Sequence, residues 1–315
     1  MSSVESGLKI GWIGAGRMGF PMAARLAKAG NNVAVYNRTR AKAEPLTEYG
    51  ASIVDTPAEL ADCDVIFTMV STSKDLAQVL AGENGVFSGI SGNAPKCFVD
   101  CSSVSVEASA EMREAAKKIG SDFIAAPVSG NGKVVKAGKL TIVASGPEAA
   151  FKLVEPFLQA VGVGVTYVGE GELARSVKIC HNVLLAVVTQ NLAEITILAE
   201  KAGVPRHAFL DFINNSVMGS VFTRYKTPSW VNLDFTTTFT PELMRKDVDL
   251  GLAMGKELEV PMPVTSITRD VIQSSMGHGN KGDIDFGIVF KYMAECSGLD
   301  LVSEDVEVLS GLETD

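Results

Sequence analysis

The sequence predicts an α/β protein in two parts, a doubly wound parallel sheet followed by an all-α domain built on one long central helix. Three observations predict it. Over the first half, short apolar runs alternate with stretches of helical spacing, the pattern of βαβ units whose parallel sheet is covered on both faces. The stretch Leu173–Lys201 holds neither Gly nor Pro and is apolar on nearly every side, so it reads as a helix buried all round, between domains or between subunits. The remainder of the chain beyond it is mainly helical in spacing. At about 150 residues per domain, 315 residues make roughly two domains. We divide them at Gly171, giving 1–171 and 172–315.

The elements run in order. Lys9–Ile13 is a short apolar strand, and Met18–Ala29 after it has helical spacing. Asn32–Tyr36 is a second strand and Ala41–Tyr49 a helix-like stretch. Pro57–Asp62 is a short helical piece before the strand Asp64–Val70. Lys74–Leu80 reads as helix, Cys97–Asp100 as strand, Val106–Ile119 as helix and Phe123–Ala125 as strand. Leu140–Ala144 and Val163–Val168 add strands, with the helix Glu148–Ala160 between them. Gly203-Val204-Pro205 ends the long helix, as a glycine followed by proline should. Helices are then expected over Arg206–Ser216, Glu242–Glu257, Val264–Ser275 and Phe286–Ser297.

Composition narrows the class. Apolar residues are 46% and charged residues 21%, with 30 Gly and 12 Pro, which excludes wholesale disorder and low complexity. The net charge of −9 argues against general binding of nucleic acid or anionic membrane, while leaving room for one basic pocket. Cys63, Cys97, Cys101, Cys180 and Cys296 are odd in number and form no CxxC, so neither a disulfide framework nor a zinc ribbon is expected. His207 and His278 lack metal-like partners in sequence, and no catalytic metal is expected. No run reaches the roughly 18 apolar residues of a membrane span. Met1–Leu8 is short, polar and acidic, unlike a leader, and a cytoplasmic location is expected. Ser303–Asp315 is rich in acids and is expected to be a flexible, solvated tail.

Gly14-Ala15-Gly16-Arg17-Met18-Gly19 is a GxGxxG that follows a strand and opens a helix, the context in which the motif binds a dinucleotide. The first glycine permits the tight turn, the second lets backbone approach a pyrophosphate, and the third lets helix and strand pack closely. The helix N-terminus adds N–H groups and a favourable dipole. An acid at the end of the next strand would hold the ribose hydroxyl of NAD. Here the strand runs into Asn37-Arg38-Thr39-Arg40, two guanidiniums and a hydroxyl suited to a 2′-phosphate. This favours NADP and leaves NAD possible. Val70 and Ser71, at the end of a later strand, are placed with the cofactor.

Lys178 and Asn182 stand four apart on the long helix and so share a face. A lysine among apolar neighbours (Val177, Ile179 and Leu184) is tuned towards neutrality by burial and can pass a proton at working pH. Asn182 can donate to a substrate hydroxyl or orient the lysine. Spacing alone fits equally a snorkelling lysine and a surface amide.

Ile10-Gly11-Trp12-Ile13-Gly14-Ala15-Gly16-Arg17-Met18-Gly19-Phe20-Pro21-Met22-Ala23 resembles the opening of the β-hydroxyacid dehydrogenase family, which includes 3-hydroxyisobutyrate dehydrogenase, tartronate semialdehyde reductase and glyoxylate/succinic semialdehyde reductases. Further segments agree in order: Val99-Asp100-Cys101-Ser102-Ser103; Ala126-Pro127-Val128-Ser129-Gly130 followed by Gly138-Lys139-Leu140-Thr141; Lys178-Ile179-Cys180-His181-Asn182; and Phe239 with Leu243-Met244-Arg245-Lys246-Asp247. The match spans about residues 8–300. It implies a Rossmann domain and then an all-α domain, in homodimers or homotetramers. It implies Lys178 as general acid/base, Asn182 holding substrate beside it, Ser129 and Gly130 binding a small substrate's carboxylate, and Ser103 and Lys246 touching the cofactor.

Three departures lie near the expected substrate. Asn131 stands where a glycine is common, His181 where an asparagine is frequent, and Gly171-Glu172-Leu173-Ala174-Arg175 lacks the usual GxG. Asn131 and His181 are therefore added as candidate substrate contacts, though a core histidine bonded to backbone fits His181 as well. Arg175 fits a surface salt bridge better than a carboxylate contact. Phe222, Tyr225, Trp230 and Phe235 are expected to pack between domains. The expected activity is NADP-dependent hydride transfer between a β-hydroxy acid and its semialdehyde or keto form. The alternatives are an imine reductase on the same fold and a non-catalytic dinucleotide-binding regulatory module. The retained Lys178, Asn182 and Ser129 count against both.

Overall fold

The structure, a computed structural model, describes residues 7–313. Most of the amino-terminal segment read as unlike a leader, and the last two residues of the acidic tail, lie outside the described residues. The chain divides into two compact units, Met1–Lys178 and Ile179–Asp315.

The first unit is a doubly wound α/β domain. Its six strands are β1 (Lys9–Ile13), β2 (Asn32–Tyr36), β3 (Ser52–Ile53), β4 (Val65–Thr68), β5 (Cys97–Asp100) and β6 (Asp122–Ala125). They form one sheet in the order β3-β2-β1-β4-β5-β6, every pair parallel. Side chains alternate faces along a strand, and here both faces are covered. Ile10, Trp12, Val33, Val35, Val65, Phe67 and Val99 meet α1 (Gly19–Lys28) and α5 (Glu148–Val161) on one side. Ile13, Ile66, Phe98 and Phe123 meet α2 (Ser73–Ala81) and α3 (Val106–Lys118) on the other. A second, three-stranded sheet joins β7 (Val128–Ser129), β8 (Thr141–Ala144) and β9 (Gly164–Tyr167). The short α4 (Gly132–Lys136) comes after β7.

Ala41–Tyr49, expected as helix, is instead two short 3-10 segments, Arg40–Lys42 and Glu44–Tyr49. Pro45 lacks the N–H that an α-helix would need there. Pro57–Leu60 is likewise a 3-10 turn, opened by a capping box between Thr56 and Glu59.

The second unit is helical. The long α6 (Leu173–Lys201) runs through the division, and α7 (Arg206–Asn215), α8 (Val221–Val231), α9 (Pro241–Glu257), α10 (Pro263–Gly277) and α11 (Val289–Cys296) succeed it. α8 was not expected; Pro228 within it and its two threonines hide the helical period. α9 crosses α6 closely at Gly251, where a Cβ would overlap the Val183 side chain. Phe222, Tyr225, Trp230 and Phe235 pack inside this unit. Trp230 stacks on Phe290 at 4.8 Å and Phe222 on Phe286 at 6.3 Å, while Phe235 lies against the cluster around Leu192 and Leu210. The expectation that they pack between domains is corrected.

In the single chain Leu173, Val177, Leu184 and Leu198 of α6 are exposed. Averaged along its length the helix is long and apolar enough to cross a bilayer by composition alone, which a search for unbroken apolar runs missed. Its buried Asn182 marks it as a core helix, because that amide is paired with a carboxylate of α9 and such a pair is costly in hydrocarbon. Asn182 bonds Asp247 and Gln190 bonds Glu194.

The acidic tail is also corrected over its described residues. Leu301, Val306 and Val308 pack against the helical core and Leu312 is buried. Leu301, Val306 and Val308 are turned inward, while Asp305 and Glu307 are exposed. Glu304 accepts hydrogen bonds from the Arg206 and His207 backbone N–H groups, both at 2.8 Å. It thereby caps α7, whose own N-cap, Pro205, offers no side-chain oxygen. Arg206, wholly buried, donates to the Val231 and Val302 carbonyls. Glu304→Ala should lower unfolding free energy by about 1–2 kcal/mol, the usual cost of a lost cap, read as a lower urea midpoint at unchanged slope. An unchanged midpoint would return the tail to solvent.

Candidate active site

The strand order turns back between β1 and β4, from which successive strands are added in opposite directions across the sheet, and in such sheets ligands bind beyond the carboxyl ends of the strands at that switch point. The glycine loop and the turn after β4 flank it. Gly14 has φ +102, and a Cβ there would overlap the Met69 carbonyl oxygen; a Cβ on Gly19 would overlap the Gly14 carbonyl oxygen. Gly16 differs, with no atom of the protein within 4 Å of where its Cβ would lie. The protein itself does not require glycine there. An outside group approaching the exposed backbone does, which fits a dinucleotide pyrophosphate. α1 begins without a side-chain cap at Met18, and Arg17 beside it is exposed.

Trp12, stacked on Phe67 at 5.5 Å, donates from Nε1 to the Gly14 carbonyl at 2.7 Å. Asn37 Oδ1 accepts from the Ala15 N–H at 2.8 Å, and its amide donates to the Thr39 carbonyl at 2.7 Å. Asn37 therefore pins the loop after β2 to the glycine loop, a role its motif position did not reveal. Arg38 has an 87% exposed side chain with a 3.3 Å pairing to Asp75. Arg40 is turned away to Asp55 and Glu44. Of the two guanidiniums, Arg38 is thus the one presented to solvent at the end of β2.

After β4, the Val70 N–H donates to Ser102 Oγ at 2.8 Å, and Ser71 is exposed. Ser102 is buried, while its neighbour Ser103 is exposed at the mouth of β5. Cys101, just before them, is inert, since burial, reinforced by the Asp100 charge, raises its thiol pKa far above the ordinary value. Ser129 ends β7, and Gly130 is exposed in the left-handed region, with φ +136. A Cβ on Gly132 would lie 2.8 Å from the Arg17 carbonyl oxygen, so this turn sits directly on the glycine loop. Asn131 is corrected: it is buried, and Oδ1 accepts from the Lys133 and Val134 N–H groups at 2.9 and 3.1 Å. It caps α4, and its oxygen is already used.

Lys178 is half-buried on α6. Its neighbours Val177 and Leu184 are 42% and 61% exposed, so the expected apolar shielding does not come from them. Asn182, one turn on, is buried and donates from Nδ2 to Asp247 Oδ2 at 2.5 Å. That bond fixes the amide's orientation and turns Oδ1 towards His181 Nδ1, at 3.0 Å. An amide oxygen only accepts, so His181 carries a proton on Nδ1. Lys246 pairs with the other oxygen of Asp247 at 3.1 Å. In the sequence Asp247 stood only as part of a motif; the role of orienting Asn182 lay 65 residues away and had no local signal. Arg175 is no surface residue: its side chain is 1% exposed and pairs with Asp100 at 2.5 Å.

A family profile for the NAD binding domain of 6-phosphogluconate dehydrogenase matches residues 9–169. A profile for the NAD-binding region of NADP-dependent 3-hydroxyisobutyrate dehydrogenase matches residues 172–293. The chain belongs to the β-hydroxyacid dehydrogenase family. Its relatives include 2-(hydroxymethyl)glutarate dehydrogenase of Eubacterium barkeri, 32% identical over 94% of this chain and 98% of that one. Glyoxylate/succinic semialdehyde reductase 2 of Arabidopsis thaliana is 30% identical over 90% and 79%. Among solved structures, 3-hydroxyisobutyrate dehydrogenase from Salmonella typhimurium superposes with a TM-score of 0.81 at 26% identity, over 90% and 99% of the two chains. An imine reductase from Myxococcus stipitatus shares the fold more distantly, with a TM-score of 0.59 at 23% identity over 90% and 99%. This family member is a dinucleotide-binding dehydrogenase with the doubly wound sheet and helical domain of its relatives.

The glycines make separable predictions. Gly16→Ala should leave thermal stability nearly unchanged while weakening dinucleotide affinity about tenfold, a loss of about 1.4 kcal/mol. Gly14→Ala should destabilise the apo-protein by several kcal/mol, from positive φ and main-chain overlap together. Calorimetric melting and fluorescence titration of both variants check this; equal melting losses would remove the ligand reading of Gly16.

Proposed function

We propose that this chain is an NADP-dependent oxidoreductase that interconverts a small β-hydroxy acid with its semialdehyde or keto form. The observation that carries the proposal is the pairing of Lys178 with Asn182 one turn apart on α6, Asn182 being fixed by Asp247. The named activities of the two relatives, a hydroxy-acid dehydrogenase and a semialdehyde reductase, point to the same substrate class.

Gly14–Gly19 would hold the pyrophosphate, Arg38 the 2′-phosphate, and the Val70, Ser71 and Ser103 edge the remainder of the dinucleotide. When bound, the nicotinamide supplies or accepts the hydride. Ser129 and the Gly130 backbone would hold the substrate carboxylate, fixing which carbon faces the hydride, and such fixing supplies much of the rate. In the reductive direction Lys178 stabilises the developing alkoxide and delivers its proton; in the oxidative direction it accepts that proton. Asn182, with both ends of its amide engaged, keeps one orientation through the cycle.

NADP is favoured by charge. No acid ends β2; Asn37 and Arg38 do, and a guanidinium matches a phosphate bidentately. A second copy of this chain is the partner we propose for α6. Val177, Leu184, Asn191 and Leu198 recur every seven residues along one exposed stripe, the repeat by which helices pair. The five unpaired thiols fit a reducing cytoplasm.

Lys178→Ala should cut NADPH-dependent reduction of short semialdehydes by about 10²–10⁴-fold with NADPH affinity retained; undiminished turnover removes the acid/base assignment. Arg38→Ala should weaken NADPH by about tenfold or more, the worth of one charge-assisted pair, and leave NADH unaffected. Equal weakening of both cofactors would discard the 2′-phosphate site. Leu184→Glu should shift the protein to monomer in sedimentation equilibrium, and an unaltered mass would reject the α6 stripe as the contact.

A further inference from the structure

Asp100 ends β5 wholly buried. Its partner Arg175 lies in the first turn of α6, and none of the guanidinium's identified contacts leads to solvent. Nη2 donates to Asp100 Oδ2 at 2.5 Å, Nη1 to the Ser102 carbonyl at 2.5 Å and Nε to Ser109 Oγ at 3.1 Å. The other carboxylate oxygen, Oδ1, accepts from Thr68 Oγ1 at 2.6 Å and from the Ser102 N–H at 3.2 Å. Ser102 Oγ in turn accepts from the Val70 N–H. One connected set of polar groups therefore joins the carboxyl end of β4, the carboxyl end of β5 and the first turn of α6. Lys178 is the residue one turn beyond Arg175 on that helix.

The same helix start is fastened at two other points. Glu172 pairs with Arg113 Nε at 2.8 Å. The Gly171 carbonyl receives Arg113 Nη2 and Ser145 Oγ, both at 2.8 Å, and Ser145 Oγ accepts from the Ala174 N–H at 3.0 Å. These two contacts fix where the helix begins. A third is needed to fix its rotation about its own axis, which decides where Lys178 points.

A buried ion pair is poorly suited to stability, since the desolvation of two charges can exceed their attraction, and apolar side chains of like volume often serve a fold as well. It is well suited to geometry. The planar guanidinium accepts few orientations, and any slip leaves a charge unpaired in a dry interior. We propose that Arg175, clamped by Asp100, is a positioning residue that sets the rotation of α6 and so aims the Lys178 amine at the edge of β4 and β5 where hydride transfer takes place. The inference rests on the reading of Lys178 as proton donor.

The test uses the full chain and the double variant Asp100→Asn/Arg175→Met, which removes both charges and keeps the volume, alongside Arg175→Lys, which keeps the charge and loses the fork. Expected for the double variant are a cooperative melt, NADPH affinity and semialdehyde KM within about threefold of the parent, and kcat lower by about 100-fold, the cost of an ångström-scale misplacement. The solvent deuterium isotope effect on kcat should rise, because proton delivery becomes slower. Arg175→Lys should fall between. Hydrogen exchange of the 171–181 amides should quicken in both variants. A folded double variant with the parent's kcat and isotope effect overturns the proposal, as does unaltered exchange over 171–181. A parent chain that binds NADPH but turns over no semialdehyde would instead overturn the proposed function, and the exchange measurement would still decide whether the ion pair fixes the helix.

Discussion

The first unit depends on a main-chain contact, the Gly14 backbone lying against the Met69 carbonyl with no room for a Cβ between them. That approach lets the ends of four strands be stitched together beyond the last ladder pairs. The Gly14 N–H reaches the Tyr36 carbonyl, the Met69 N–H reaches Ile13, and the Cys101 N–H reaches Thr68. Parallel strands splay as a sheet twists, and a crevice opens where the strand order turns back between β1 and β4. Here the crevice floor is backbone held at both edges. The main-chain groups expected to meet a pyrophosphate thus have no side-chain freedom to lose on binding, which keeps that part of the ordering cost low.

Around that floor, polar side chains fall into two kinds. Asn37, Asn131, Ser102, Thr68 and Asp100 spend their hydrogen-bonding capacity on the protein itself. Arg38, Ser71, Ser103 and Gly130 face solvent. The first group is buried or half-buried and the second exposed, so burial separates the scaffold from the surface that can recognise a ligand. Buried polar groups left unpaired cost about 1–3 kcal/mol each, which is why the scaffold group is so fully bonded. The ion pair of Asp100 and Arg175 is its most demanding member, since both charges are out of water and every slip is penalised.

The strands were legible because their physics is local. β1 and β2 begin and end where apolar runs begin and end, and a strand buried on both faces announces itself by composition. The glycine motif was legible for the same reason, a turn and a helix start written in six consecutive residues. The features that escaped were long-range. Arg175 finds Asp100 across 75 positions and Asn182 finds Asp247 across 65, and neither partner is marked by spacing. Asn131 was misassigned because an asparagine after Ser-Gly suits a substrate contact and an N-cap equally, and only the positions of the Lys133 and Val134 N–H groups decide. The strap beyond Ser303 was misjudged by counting acids when the inward-turned Val306 and Val308 between them were the informative residues. In each case sequence supplied the residue type and the fold supplied the partner.

α6 carries scaffold, the proposed proton donor and an exposed apolar stripe on one helix. An α-helix turns about 100° per residue, so Arg175 and Asn182 fall within about 20° of each other and about 40–60° to one side of Lys178. Val177 and Leu184 fall about 100–120° to its other side. The two polar residues are buried and the two apolar ones exposed, the reverse of what hydropathy alone dictates. Lys178 stands at the border, half-buried. Such a position puts the lysine between the packed face of the helix and its exposed stripe. It also means that the lysine's environment on the apolar side is completed by whatever covers Val177 and Leu184. If a second copy of the chain lies there, association and proton transfer are coupled through one turn of helix, and a charge placed at Leu184 acts on both.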